Sequence, residues 1–151
     1  MSMVTSPTGP AWRIIVRAEL AELARLSGWA EDFAQDAKLP SRQSFAIQTC
    51  LEEAVANIIM YSGAAGADIA LELAASGRDV LATIEDNGQS FDPTAFPAPS
   101  RPGSLADARV GKLGIHLMRN LASEMRYERR NGRNRLTLRF SPAEATSKEP
   151  G

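Results

Sequence analysis

The 151 residues are 44% hydrophobic and 23% charged, the composition of one domain long enough to bury its own core. A net charge of −1 excludes a global field that would draw the chain to nucleic acid or an anionic membrane. The single cysteine, Cys50, excludes a disulfide framework, no apolar run reaches membrane-span length, and MSMVTSPTGP lacks a signal-type start, so the expected location is the cytoplasm.

Residues 1–10 are expected to form a flexible lead, residues 11–140 a single domain, and residues 141–151, SPAEATSKEPG, a disordered polar tail. WRIIVRAEL at 12–20 predicts a strand running into a helix with apolar positions at Leu23, Leu26, Trp29 and Phe33. Pro40 ends that helix, and Ser41 is placed to cap another, from about Arg42 to Met60, which GAAGA at 63–67 stops. ADIALELAA and DVLATIED alternate with period two on either side of Ser76-Gly77-Arg78, a hairpin pattern. From Asn87 to Arg109 the chain is rich in Pro, Gly, Ser and Asp without a period; so long a loop inside a domain is usually a lid or a binding loop. GIHLMRNLASEM then predicts an amphipathic helix, and YERRNGRNRLTLRF a second hairpin turning at Asn131-Gly132. These elements group as a mixed β-sheet covered on one face by helices, an α+β two-layer sandwich. Between Arg126 and Arg139 stand six arginines against one glutamate, which form either the solvated face of the hairpin or a patch for a partner or a phosphate.

Polar residues interrupt this frame at specific places. In LEEAVANIIMY the helix turns Leu51, Val55, Ile58 and Ile59 inward, yet Glu53 and Asn57, four residues apart, project from one face among them. Either they sit at the edge of the apolar stripe or something polar meets them inside. Glu52, the rival carboxylate, lies about 100° around the helix and is read as solvent-facing or in a surface salt bridge. Asp86 closes a strand, with Gly88 two residues on; Gly111 and Gly114 lead into a helix whose free N–H groups suit an anion. Taken singly, an ordinary turn or plain packing gives each of these pieces. Cys50 reads as core filling, and His116, the one histidine, as packing or pocket rim.

The ordered set Glu53-x-x-x-Asn57, Asp86-Asn87-Gly88 and Gly111-Lys112-Leu113-Gly114 resembles the Bergerat-fold nucleotide-binding domain of gyrase-type, histidine-kinase, heat-shock-chaperone and mismatch-repair ATPases. Within that superfamily, EDNGQSFDPT at 85–94, GKLGIHLMRNLASEMRY at 111–127 and NGRNRLTL at 131–138 are similar to the small anti-sigma-factor serine kinases of RsbW and SpoIIAB type. The resemblance implies that Asn57 coordinates Mg²⁺, that Glu53 accepts the proton of an attacking hydroxyl, and that Asp86 receives the exocyclic amine of adenine. Gly88 would let the base lie against the backbone with Phe91 close by, while Gly111, Lys112, Leu113 and Gly114 wrap and neutralise the phosphates of ATP or ADP.

Three departures stand out: Tyr61-Ser62 where a histidine often follows the asparagine, Gln89-Ser90 where a second glycine is common, and Gly132-Arg133 where larger ATPases carry a threonine. No adenine contact is therefore carried over to the last strand. A histidine kinase would need a phosphoacceptor hairpin that the chain has no room for. The implied activity is that of a serine/threonine protein kinase that phosphorylates a STAS-type anti-sigma-factor antagonist and binds a sigma factor. It would act as a homodimer, without a direct nucleic-acid or membrane partner. The alternative is a non-catalytic adaptor whose partner binding depends on ATP or ADP.

Overall fold

Period-two alternation carries through five strands: β1 (Ala11–Arg17), β2 (Asp68–Ser76), β3 (Asp79–Asp86), β4 (Glu124–Arg130) and β5 (Arg133–Phe140). The structure, a computed structural model, describes residues 9–61, 66–95 and 112–142, without the side chains at 112 and 113. The strands form one sheet in the order β1-β2-β3-β5-β4. The sandwich is as expected, but the sheet is not mixed, because all four described ladders are antiparallel. The reason is the connections. Both hairpins reverse the chain in tight turns, and two helices rather than one separate β1 from β2, so β2 returns in the opposite direction. Gly77 turns the first hairpin at φ 63°, and Asn131 and Gly132, at 56° and 76°, supply the paired positive φ of a type I′ turn in the second.

One face of the sheet carries α1 (Leu23–Asp36), α2 (Ser41–Tyr61) and α3 (Lys112–Leu121). Ser41 is the first residue of α2 rather than its cap: the Pro40 carbonyl accepts from the Ser44 N–H at 3.0 Å. The third helix ends four residues before Met125, which belongs to β4. There the Ala122 N–H still donates to Met118 at 2.9 Å, while the next one, Ser123, already donates to Arg139 of the sheet at 2.7 Å.

Between the layers, Leu26 and Phe33 of α1, Leu51 and Val55 of α2, and Met118 of α3 meet Ile69, Leu73, Ile84 and Leu138 of the sheet, all fully buried. Burying each such side chain contributes roughly 1.5–3 kcal/mol. Trp12 meets Phe33 edge to face, with centroids 5.6 Å apart. Gln43 ties the start of α2 to the sheet by donating its Nε2 to the carbonyls of Arg78 and Phe140, both at 3.0 Å.

The opposite face is the solvated side of the arginine-rich hairpin. Arg133 and Arg135 pair with Glu85 at 3.4 and 3.6 Å, Arg126 with Glu124 at 3.2 Å, and Arg139 with Asp79 at 3.0 Å and Glu124 at 3.3 Å. Such exposed pairs add little stability, but they disperse the charge that the sequence concentrates. No helix among the described residues is long and apolar enough to cross a membrane. Of the long loop, residues 96–109 lie outside the described residues, as do most of the lead and tail. Its described start closes a 3₁₀ turn, Pro93–Ala95. Arg119 of α3 pins that turn by donating to the carbonyls of Pro93 and Thr94 at 3.3 and 2.8 Å.

Candidate functional site

Strand phase turns Asp86 inward. It follows Val80, Ala82 and Ile84 on the buried face of β3, so the alternation that builds the core delivers a carboxylate to the end of it, 4% exposed. The β3–β5 register sets Asn134 directly opposite, 5% exposed and in phase with Leu136, Leu138 and Phe140. From the other layer, helical spacing brings Asn57 to the same end: it lies on the inward face with Ala54 and Ile58 and is 2% exposed. Three polar side chains thus converge where the apolar core stops. Between them is a cavity of about 30 Å³, whose lining includes Asn57, Asp86, Phe91, Tyr127 and Asn134. That is room on the order of two waters.

The two walls differ in how their polar groups are satisfied. On the sheet side Asp86 is fully oriented: its Oδ2 accepts from the Gly88 N–H at 2.8 Å and from Asn134 Nδ2 at 3.1 Å. Asn134 is the hub. Its Nδ2 also donates to the Gln89 carbonyl at 2.9 Å, and its Oδ1 accepts from the Tyr127 hydroxyl and from Arg129 Nη1, the latter at 2.9 Å. Arg129 Nη1 additionally reaches the Gly88 carbonyl at 2.9 Å. Both bonds fall on Oδ2, so no donor among the described residues engages Oδ1 of this cavity-lining carboxylate. On the helix side both polar atoms of the Asn57 carboxamide are buried without a hydrogen-bond partner among the described residues. A ligand or water in the cavity that bonds this carboxamide supplies the partner that the surrounding described protein groups do not. A carboxamide oxygen is a suitable donor for a hard cation. No group of three His, Cys, Asp or Glu among the described residues forms a cage, so an ion here would depend on phosphate and water oxygens as well, the usual Mg²⁺ arrangement.

Glu53 is one turn from Asn57 but not on the cavity wall. It is half-buried at the contact between α2 and α3, against Gly114. Burial first, and the neighbouring charge of Glu52 second, push its carboxyl above the ordinary carboxylate value, the direction that suits a proton acceptor working near neutral pH. Gly88 is buried beside Asp86. Lys112, Leu113 and Gly114 form the first turn of α3, so Gly114 is a helix residue rather than a loop residue. Gly111 lies outside the described residues. Cys50 is fully buried, with burial its main cause for a thiol pKa pushed up to about 12; it is core filling. His116 is half-buried near the surface, its Nε2 3.3 Å from Asn120 Nδ2.

Two of the three sequence departures, at Tyr61 and at Gln89, meet each other at this site. Gln89 donates its Nε2 to the Tyr61 carbonyl at 3.2 Å, the Tyr61 ring stacks on Phe91 at 4.9 Å, and Ser90 lies 3.3 Å from the Tyr127 hydroxyl. Asn134 and Tyr127 are absent from the set of site residues read in the sequence. The available signal was phase: in RNRLTLRF, Asn134 shares parity with three apolar residues, which marks it as inward-facing.

Comparison with known proteins agrees with this geometry. A family model described as a histidine kinase-like ATPase domain matches residues 16–140. The serine/threonine-protein kinase BtrW of Bordetella bronchiseptica is 38% identical over 112 residues, which are 73% of this chain and 79% of that protein. Among solved structures, the RsbU and RsbW domains of Rv1364c from Mycobacterium tuberculosis superpose with a TM-score of 0.64 at 18% identity. The match covers 88% of this chain but 32% of that longer polypeptide, a likeness of fold.

Proposed function

The chain belongs to the histidine kinase-like ATPase domain family, and on that premise we propose that it is a protein serine/threonine kinase that uses Mg-ATP. The resemblance to RsbW-type kinases read from the sequence is borne out by the relatives it matches. The observation that carries the proposal is the buried carboxamide of Asn57, without a hydrogen-bond partner among the described residues, lining one cavity with the oriented carboxylate of Asp86. A purine amine finds its acceptor in Asp86, and the phosphate end of the nucleotide runs toward Asn57 and the first turn of α3.

In this reading Asn57 Oδ1 holds Mg²⁺, which when bound neutralises phosphate charge. Asp86 selects adenine, since guanine presents a carbonyl where adenine presents an amine. Gly88, Phe91 and the segment from Gly111 to Gly114 surround the rest of the nucleotide. Glu53 takes the proton from a serine hydroxyl of the partner as that oxygen bonds to the γ-phosphorus. The bond from that phosphorus to the bridging oxygen of the β-phosphate breaks, and ADP leaves. Most of the rate comes from positioning and electrostatics, as phosphoryl transfer requires.

The substrate we propose is a STAS-type anti-sigma-factor antagonist, with a sigma factor as the competing ligand, a homodimer as the working form and the cytoplasm as its place. Co-purification of the bound partner, followed by radiolabelled ATP with that partner present, tests this. Label on a serine of a STAS-type protein is the expected result. Nucleotide-dependent partner binding without transfer replaces the kinase by a nucleotide-gated adaptor.

A further inference from the structure

Gly114 is the third residue of α3, inside the helix, and is not among the glycines with positive φ. Its backbone conformation is one that any residue adopts, and glycine is among the poorest helix formers. Something other than chain flexibility therefore accounts for glycine here. A Cβ built on Gly114 would fall on Oε1 of Glu53, 3.0 Å from its Cδ and 3.6 Å from its Cγ. The carboxylate occupies the volume that any side chain at 114 would fill.

We infer that Gly114 is a positioning residue for Glu53: its bare α-carbon is a seat into which α3 receives the carboxylate of α2, holding it one turn from Asn57. This deepens the proposed kinase reading and rests on it for its catalytic meaning. A Glu side chain on an open helix surface samples several rotamers and keeps its hydration. Seated against Gly114, it is restricted and partly dehydrated, so the proton acceptor is oriented before substrate arrives. A residue of any other type at 114 lifts the carboxylate out of the seat, while the cavity wall formed by Asn57, Asp86 and Asn134 is untouched.

Two measurements test this together. In the first, Gly114→Ala lowers phosphotransfer to the partner at least about tenfold at saturating Mg-ATP, where any change in nucleotide affinity no longer enters the rate. On a Glu53→Gln background, the same change leaves the residual rate within about twofold, because a positioning effect vanishes with the group positioned. The inference is overturned if Gly114→Ala retains the parental rate at saturating Mg-ATP, or if it costs the same factor on the Glu53→Gln background. The second measurement needs no activity: Gly114→Ala raises the melting temperature less in the parent, where the Glu53 carboxylate must move aside, than on a Glu53→Ala background, where alanine gains its helix propensity in full. Equal changes on both backgrounds overturn the seat itself. Unequal changes with no phosphotransfer by the parent uphold the seat and remove the kinase reading instead.

Discussion

Asn134 donates its Nδ2 to Oδ2 of Asp86 at 3.1 Å across the β3–β5 ladder, two polar residues paired in register on the inner face of a sheet that is otherwise apolar there. The pair decides which oxygen of Asp86 is free, and therefore where an adenine amine is received.

Replacing either member should weaken nucleotide binding, by different amounts. Asp86→Asn removes the acceptor charge; a hydrogen bond to a charged group is worth roughly 1.5–3 kcal/mol, so ATP affinity should fall at least about tenfold. Asn134→Ala leaves the acceptor but unlocks it and orphans the Gln89 carbonyl, a several-fold loss. Asn134→Asp sets a second carboxylate against Asp86 and should be worse than alanine. Calorimetric titration with Mg-ATP checks the order; equal affinities across the series would refute the assignment of Asp86 to the base.

The unpartnered carboxamide of Asn57 predicts a trade between stability and function. Asn57→Leu, similar in size and without polar atoms, removes the burial of two polar groups and should keep or raise the Tm of the nucleotide-free protein. The same variant should lose the stabilisation that Mg-ATP confers on the parent. Thermal melts with and without Mg-ATP measure both effects at once.

Glu53→Gln should bind nucleotide nearly as the parent does and lose about 10²–10⁴-fold in transfer rate, the usual contribution of a general base, whereas Glu52→Gln should remain active. The pH profile separates them further. A base acts only when deprotonated, and burial with the Glu52 charge raises the Glu53 carboxyl, so kcat should fall on the acid side at a pH above the ordinary carboxylate value. Removing the Glu52 charge favours ionised Glu53, so Glu52→Gln should shift that limb to lower pH.

Arg119 holds the start of the long loop through the carbonyls of Pro93 and Thr94. Saturating Mg-ATP should slow proteolytic cleavage between Phe91 and Arg109 in the parent. Arg119→Ala should speed cleavage near Thr94 without nucleotide and reduce the protection that nucleotide gives. Identical digestion patterns with and without Mg-ATP would refute any contact between nucleotide and this segment.

Much of this architecture is legible in one dimension because local chemistry specifies it. Period two in DVLATIED makes a strand and places Asp86 on its buried face; Asn131-Gly132 makes a type I′ turn; Glu53 and Asn57 share a helical face by spacing alone. What lay beyond local reading were relations between segments far apart in the chain. The direction of each ladder depended on how many helices intervene, and a mixed sheet was expected where an antiparallel one formed. Tyr61 and Gln89, each a departure from pattern when taken singly, prove to be each other's contact.

The sequence by itself determined the elements, the hairpins, the inward phase of Asp86 and Asn134, and the polar pair on α2, because side-chain periodicity and turn chemistry act over a few residues. Only the tertiary structure decided that Asn134 orients Asp86, that Asn57 is left unpaired, and that Glu53 sits in the space a side chain at 114 would take. Those outcomes depend on strand register and helix packing between residues dozens of positions apart. The burial and close approach that result exist only once the layers have closed on each other.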